Sequence, residues 1–248
     1  MVINHFDKFP LKTNKLKDYI SFKKAYYIIK NKEHLTKQGL DKLVSIKSSM
    51  NLGLSPELKL AFPNINTSLI KEPNIIYPTR CNHNHNHNHN NNHNHNTKDG
   101  YIKANISKFD PNWISGFASG EGSFQVGISK IKKLDNKYQV LLTFSIGQHS
   151  RDELLLKSLA KYLDCGKVIK KINSKNNTEL FEFRVSRFKD VNEKIISLFI
   201  KYPIQGIKLL DFQDFYNVAN LMNKKTHLTN LGVNKIRLIK QGMNSNRI

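Results

Sequence analysis

Hydrophobic residues between positions 109 and 200 recur first at helical spacing, then in alternation, and later at both spacings again. Proline in a first turn and glycine at an end predict a helix from Pro111 to about Gly120. Strict alternation of apolar and polar residues predicts strands at 123–129 and 137–148. The same reasoning then gives, in order, an amphipathic helix at 151–163, strands at 166–172 and 179–186, and a helix at 189–200. The predicted fold class is therefore α+β, in the order α-β-β-α-β-β-α.

Each predicted strand has one apolar and one polar face, which indicates an open, curved antiparallel sheet of four strands. The residues expected to be buried are Phe124, Val126, Ile128, Val140, Leu142, Phe144, Ile146, Phe181, Phe183 and Val185. The other face, which includes Glu182, Arg184 and Ser186, is polar and positive. Such a face can lie in the major groove and contact base edges and phosphates. Alternation alone favours the simpler interpretation of a half-solvated sheet.

The end of the chain repeats its beginning. Residues 8–55 align with residues 201–248 without a gap at an offset of 193, and sixteen of the 48 positions are identical. Each copy predicts two helices, at roughly 15–31 and 36–50 in the first copy and 208–223 and 229–243 in the second. Thr36 and Thr229 are predicted to cap the second helix of each pair. Nothing upstream of residue 8 corresponds to residues 109–200.

A segment of low complexity separates the two copies. Residues 73–108 contain Pro73, Pro78 and the tract NHNHNHNHNNNHNHN, which has no apolar face at any period. Such a segment cannot bury enough surface to offset its conformational entropy, so it predicts a disordered linker. Its histidines could bind zinc or nickel adventitiously, but asparagine spacers give no fixed geometry, and we expect no functional metal site there.

The chain is strongly basic, with 40 lysines and arginines against 19 acidic residues, a formal net charge of +21 and a pI near 9.9. Residues 1–72 contribute +7 and residues 100–248 contribute +13, so the charge belongs to the parts that are predicted to fold. Nucleic acid is the partner that this charge favours. No apolar run approaches the ~18 residues of a membrane span. Two cysteines in unlike contexts, Cys81 and Cys165, predict neither a disulfide framework nor a zinc site.

The stretch WISGFASGEGSF, residues 113–124, places small residues and one carboxylate directly before a strand. It resembles the signature helix of the LAGLIDADG homing endonucleases, with Gly116 and Gly122 at the two glycines and Glu121 at the final acidic position. The resemblance implies that two such helices pack side by side through small residues, here Gly116, Ser119 and Gly120. It also implies that Glu121 lies over the scissile phosphates. A carboxylate there would hold Mg²⁺, which polarises the phosphate, generates hydroxide and stabilises the leaving oxygen.

Further positions match the same family pattern. Gln148 stands where the family commonly places a polar residue that orders water near the metal. Lys208 stands where the family places a lysine close to the scissile phosphate, a role suited to stabilising charge in the transition state. Lys15 aligns with Lys208 and would be the matching lysine of another half. The polar residues expected to contact DNA are Ser123, Gln125, Ser129, Lys130, Gln139, Thr143, Lys167, Lys171, Arg184 and Ser186.

The resemblance also implies a domain organisation. Residues 109–248 resemble one complete half of a single-chain enzyme, whereas residues 1–62 resemble the C-terminal helices of a first half that lacks its front, with a linker at 63–108. A single-chain enzyme needs both acidic residues to cut both strands of double-stranded DNA. An upstream exon could supply the missing half, two copies could form a homodimer, or the chain could be inactive.

The resemblance leaves two functions open. One is an intron-encoded homing endonuclease, or a remnant of one. The other is a maturase that binds host intron RNA, or a catalytically inactive nucleic-acid-binding protein on the same scaffold. Abundant Asn, Lys and Ile are typical of an AT-rich organellar genome, and the match is to the fungal mitochondrial type. We therefore expect a mitochondrial protein, with a chloroplast as the alternative.

Deleting residues 82–96 should leave folding intact, because a linker without an apolar face contributes nothing to a core. Thermal unfolding of the deletion variant and of the full chain tests this expectation. A large fall in melting temperature would show that the tract is part of the folded structure.

Overall fold

The computed structural model describes residues 2–50, 53–65, 75–76, 104–105, 109–131, 138–172 and 177–247. They form two compact units. The described residues up to 76, together with 104–105, make the first unit, and residues 109–247 make the second. No helix within the described ranges is both long and apolar enough to span a membrane.

The first unit is mainly helical and contains the predicted helix pair. Its helices are α1 (Val2–Lys8), α2 (Lys15–Lys30), α3 (Lys37–Ser48) and α4 (Pro56–Ala61). The sequence analysis did not predict α1, which is held to α2 by the hydroxyl of Tyr19. That oxygen lies 2.9 Å from the carbonyl of Ile3 and 2.6 Å from Oδ1 of Asp7. Burial, followed by the contact with Asp7, raises the pKa of Tyr19 well above its usual range, so the hydroxyl keeps its proton.

Two short strands lie within the region that was expected to be disordered. β1 (Ile75–Ile76) pairs in parallel with β2 (Ala104–Asn105). The prediction is wrong for these residues because it rested on the average composition of 73–108, which asparagine and histidine dominate. Consecutive β-branched isoleucines favour a strand even in such surroundings. The His/Asn tract itself, at 82–96, lies outside the described residues.

The second unit contains the predicted elements in the predicted order. They are α5 (Pro111–Glu121), β3 (Gly122–Lys130), β4 (Tyr138–His149), α6 (Glu153–Leu163), β5 (Lys167–Ile172), β6 (Glu179–Val185), α7 (Phe188–Asp190), α8 (Ser197–Lys201), α9 (Lys208–Asn223) and α10 (Asn230–Gln241). A π-helical segment, Val191–Ile196, joins α7 to α8. The predicted helix at 189–200 is therefore a helical stretch whose middle is π-helical.

The four long strands form one antiparallel sheet in the order β3-β4-β6-β5. Phe124 on β3 lies opposite Phe144 on β4, which in turn lies opposite Val185 on β6. Opposite residues share a face and successive residues alternate between faces, so this register places the apolar residues together. The predicted α+β fold with a four-stranded antiparallel sheet is confirmed.

A cluster of phenylalanines fixes the apolar face of the sheet against the helices. The ring of Phe124 is fully buried, and its centroid lies 5.2 Å from that of Phe144 and 5.8 Å from that of Phe199 on α8. The rings of Phe212 and Phe215 on α9 lie 5.5 and 5.4 Å from it. Each buried aromatic side chain stabilises the fold by roughly 1.5–3 kcal/mol. Because these helices cover one face of the sheet, its polar face is left open.

The repeated sequence forms the same tight turn in both units. In the second unit the Thr229 hydroxyl caps α10 by accepting from the backbone N–H of Gly232 at 3.0 Å. A Cβ at Gly232 would lie 1.9 Å from the carbonyl oxygen of Thr226, so only glycine fits there. In the first unit Thr36 caps α3 in the same way, and a Cβ at Gly39 would lie 1.8 Å from a carbonyl oxygen. Both predicted caps are confirmed, and the identical glycines have a steric cause.

Gly232→Ala should destabilise the second unit by about 1–3 kcal/mol, because the added methyl group has no room. Chemical denaturation of the full chain measures the change. Gly242→Ala is the matched control, since the nearest atom to its Cβ would be at an ordinary 3.7 Å. Equal unfolding free energies for the two variants would contradict the steric explanation.

Candidate active site and nucleic-acid interface

The helix α5 passes directly into the strand β3, and Glu121 lies at the junction. Asp110 caps the start of the helix by accepting from the N–H of Asn112 at 2.8 Å. At the other end Gly122 donates its N–H to the carbonyl of Ala118, and a Cβ at Gly122 would lie 2.5 Å from that oxygen. The chain therefore leaves the helix without a loop. Glu121 is the last helical residue, and its side chain is exposed.

Lys208, at the start of α9, reaches the same end of α5. Its Nζ donates to the carbonyl oxygen of Gly120 at 2.5 Å. Burial lowers the pKa of Lys208, while the nearby carboxylates of Glu121 and Asp211 act in the opposite direction. The predicted catalytic lysine and the predicted catalytic carboxylate thus lie together, although they are 87 positions apart in the sequence.

Two serines on α5 bind the loop that precedes α9 and therefore Lys208. The hydroxyl of Ser115 donates to the carbonyl of Pro203 at 2.5 Å. The hydroxyl of Ser119 donates to the carbonyl of Ser115 at 2.7 Å and accepts from the backbone N–H of Gln205 at 2.8 Å. Ser119, which the motif suggested as a small interface residue, therefore binds the loop that precedes α9. The sequence analysis missed Ser115 and Gln205 entirely.

Gly116 and Gly120, the other predicted interface residues, lie on an exposed surface of α5. A Cβ added at either position would meet no other atom within 4 Å among the described residues. Nothing in the described part of the fold therefore requires glycine at these positions. A helix surface of this kind can accept the close approach of another backbone.

Gln148 lies near the end of β4 that is closest to Glu121, but on the apolar face of the sheet. It follows Ile146, which pairs with Gly122, by two residues, and its own register partner is Phe181. Gln148 is half-buried. His149, the next residue, lies on the polar face at the same end and is exposed. Because strand residues alternate, the end of β4 offers a side chain to each face.

Most of the residues predicted to contact DNA share the open polar face of the sheet. In the observed register these are Ser123, Gln125, Ser129, Gln139, Lys167, Lys171 and Arg184, and Ser186 continues the same alternation just beyond β6. All of them are exposed or half-buried. The structure therefore brings together a surface that consists mainly of amide, hydroxyl and basic side chains.

Two predicted DNA contacts need correction. Lys130 shares the face of Phe124 rather than that of Ser129, because strand residues alternate and Lys130 follows Phe124 by an even number of positions. Its register partner, Tyr138, is covered by Arg237 of α10, whose guanidinium carbon lies 4.4 Å from the ring centroid. Thr143 lies on the polar face but is only 9% exposed, so its short side chain offers little surface to a ligand.

Glu182 also differs from expectation, because it lies on the polar face but is only 7% exposed. Its Oε1 accepts from Nε of Arg184 at 2.9 Å and lies 2.9 Å from Nη2 of the same guanidinium in an ion pair. Its Oε2 forms an ion pair with Lys171. Two of the predicted DNA-binding cations are thus bound to one carboxylate, which the sequence analysis described only as an exposed side chain.

Comparison with known proteins assigns this architecture to a family. The LAGLIDADG endonuclease family profile matches residues 114–219, from α5 into α9. The crystal structure of the I-SmaMI LAGLIDADG homing endonuclease bound to cleaved DNA is similar with a TM-score of 0.81 and 37% sequence identity, over 100% of this chain and 71% of that chain. The chain belongs to the LAGLIDADG endonuclease family.

Other relatives agree with this assignment. I-SmaMI bound to uncleaved DNA target in the presence of calcium ions matches with a TM-score of 0.78 and 36% identity, over 98% of this chain and 71% of that chain. Probable intron-encoded endonuclease 2 of Neurospora crassa is 35% identical over 248 residues, which are 98% of this chain and 47% of that protein. The chain spans about half the length of the curated relatives it matches, or less.

LAGLIDADG endonucleases generally use divalent metal ions, and the donors at the end of α5 fit such an ion in part. Glu121 offers an exposed carboxylate, the hard oxygen donor that Mg²⁺ prefers. Within the described ranges no group of three or more His, Cys, Asp or Glu side chains is placed to hold a metal.

Ser119→Ala should loosen the loop before α9 and make the amine of Lys208 more reactive. The lost hydrogen bond is worth about 1 kcal/mol, so acetylation of Lys208 should accelerate by about fivefold. Mass spectrometry of the full chain after brief acetylation measures the change. Ser197→Ala is the control, since its hydroxyl bonds only weakly, at 3.5 Å, to the carbonyl of Asn192. Unchanged reactivity at Lys208 would show that the serine does not hold the loop.

Proposed function

We propose that this chain acts in an intron-encoded homing endonuclease, which binds double-stranded DNA and hydrolyses its phosphodiester bonds with a divalent metal ion. The observation that carries the proposal is the junction of α5 and β3. An exposed carboxylate, Glu121, lies there beside the amine of Lys208, which donates to Gly120 at 2.5 Å. Glu121 matches the acidic position of the family's signature motif, and Lys208 matches a further position for which the resemblance implies a catalytic lysine.

The chemistry assigned to these residues is hydrolysis by an attacking water. Glu121 would hold Mg²⁺, which when bound polarises the phosphate and lowers the pKa of a coordinated water. Lys208 places a positive charge where negative charge develops on the phosphate in the transition state. Gln148 can order the attacking water through its amide. Its position on the apolar face means that it would act from the edge of the sheet.

The polar face of the sheet supplies the DNA-binding part of the proposal. Lys167 and Arg184 lie opposite each other on β5 and β6, where they can contact phosphates, and Gln125 and Gln139 can meet base edges. The formal net charge of +21 favours a polyanion as the partner. DNA is therefore the ligand that accounts for both the charge and the polar side chains of this surface.

Cutting both strands requires a second carboxylate, and the exposed glycines of α5 suggest how it is supplied. We infer that another signature helix packs against Gly116 and Gly120, either from a first half in a longer chain or from a second copy. A homodimer would have a twofold axis and would recognise a nearly palindromic site. The related proteins named as intron-encoded endonucleases come from fungi, so we also propose a mitochondrial location.

The decisive variant is Glu121→Gln, which keeps the size of the side chain but removes its charge. We expect Mg²⁺-dependent cleavage of a duplex selected for binding to fall about 100-fold or more, while duplex affinity stays unchanged. Nicking and double-strand cleavage are followed separately on gels, with chelator as the metal-free reference.

Glu153→Gln is the control for lost charge, since Glu153 pairs with Lys157 at 2.6 Å on α6 and is not among the carboxylates that act on Lys208. Retained cleavage in Glu121→Gln would contradict the endonuclease proposal. A chain that promotes splicing of its host intron, with or without Glu121, and never cleaves DNA would instead be a maturase.

A further inference from the structure

One carboxylate interrupts the positive surface of the sheet. Glu182 lies in the middle of β6, between Gly147 on β4 and Ile169 on β5, and it is 7% exposed. A negative charge on a DNA-binding surface repels the phosphate backbone. A carboxylate at this position therefore needs an explanation, because the rest of the surface attracts phosphates. The explanation lies in the two cations that cover it.

The carboxylate binds Arg184 along one edge of the guanidinium. Nε donates to Oε1 at 2.9 Å, and Nη2 lies 2.9 Å from the same oxygen in an ion pair. Arginine has five N–H donors in a rigid fork, so the edge formed by Nη1 and Nη2 has no hydrogen bond to the described residues and can bind a ligand. Two parallel donors of this kind match O6 and N7 of guanine, the commonest specific contact in the major groove.

The same carboxylate neutralises a second cation. Its Oε2 pairs with Lys171. Burial, followed by the nearby positive charge of Arg184, lowers the pKa of Lys171. Without Glu182 these two cations would repel each other and would be free to contact phosphates anywhere along a duplex. Lys167, which lies opposite Arg184 in the register, is exposed, and no ion pair links it to a described carboxylate.

We propose that Glu182 sets sequence specificity: it positions Arg184 to bind a guanine base, and it withholds Arg184 and Lys171 from nonspecific phosphate contacts. This inference rests on the proposed function only in requiring that the polar face of the sheet binds duplex DNA. It assigns Glu182 a positioning role, because the carboxylate acts on the base through Arg184.

Glu182→Gln in the full chain tests the proposal, with binding measured by fluorescence anisotropy without Mg²⁺ so that no cleavage interferes. A duplex is first selected from a random library with the unmodified chain, and each of its base pairs is then substituted. The preference for one guanine should fall by about tenfold, the value of one bidentate contact. Affinity for an unrelated duplex should rise, and the salt dependence should steepen by about one to two units as cations are released.

The matched control is Glu179→Gln. Glu179 pairs with Lys170 at 2.5 Å on the same two strands, but on the opposite face of the sheet, so it removes the same charge without touching the polar face. Arg184→Lys is the second variant and keeps the positive charge but loses the fork. It should abolish the preference at the same guanine without weakening nonspecific binding.

The outcomes separate this proposal from the proposed function. If Glu182→Gln weakens all duplexes equally, or if it and Arg184→Lys affect different base pairs, the proposal is wrong. Heparin is a polyanion without bases. Retention on heparin therefore tests, independently of any DNA sequence, whether Glu182 neutralises Arg184 and Lys171. Glu182→Gln should elute at higher salt than Glu179→Gln, and equal elution would overturn that part. If the chain is retained on heparin but binds no DNA duplex, the proposed function itself is wrong.

Discussion

The packing of Phe124 is the constraint on which the rest of the second unit depends. Its ring touches aromatic side chains from β4, α8 and α9, so one residue joins the sheet to the helices behind it. Because β3 follows α5 without a loop, fixing Phe124 also fixes the end of α5 and therefore Glu121. Because α9 begins at Lys208, the same contacts set the distance between the amine and the carboxylate. Hydrophobic burial, rather than the polar groups themselves, therefore positions the side chains of Glu121 and Lys208.

Much of this arrangement could be predicted from the sequence, because its causes are local. Alternation predicted the strands and most of their buried residues, although Ile128 and Phe181 are only half-buried. Thr36 and Thr229 indicated helix starts through a capping pattern that spans three residues. The sequence also contains a start signal for α4, since Ser55 caps that helix and Pro56 begins it. The helix is too short to show a clear apolar period, so it was not predicted. The alternation that predicts β3 also places Lys130 on the face of Phe124, opposite to the other predicted DNA contacts of that strand.

Other features depend on partners that are distant in the sequence, and periodicity carries no information about them. Ser119 is a small residue in a motif that favours small residues, and only the fold brings the N–H of Gln205 to its hydroxyl. In the sequence, Glu182 is one more polar residue in an alternating strand. Its burial follows from Lys171 on the neighbouring strand and from Arg184 two residues along β6, both of which are long enough to cover it. Cross-strand charge pairing requires the register, which the sequence did not supply.

The separation of the two sheet faces has a consequence for how such a protein changes. The side chains on the open face contribute little to the core, whereas the phenylalanines on the other face hold the strands in place. Substitutions on the open face can therefore accumulate, or be introduced deliberately, with little loss of stability. A scaffold with two such separate faces can be redirected to a new target by exchanging a few strand positions, while the contacts of Glu121 and Lys208 at the helix end stay unchanged.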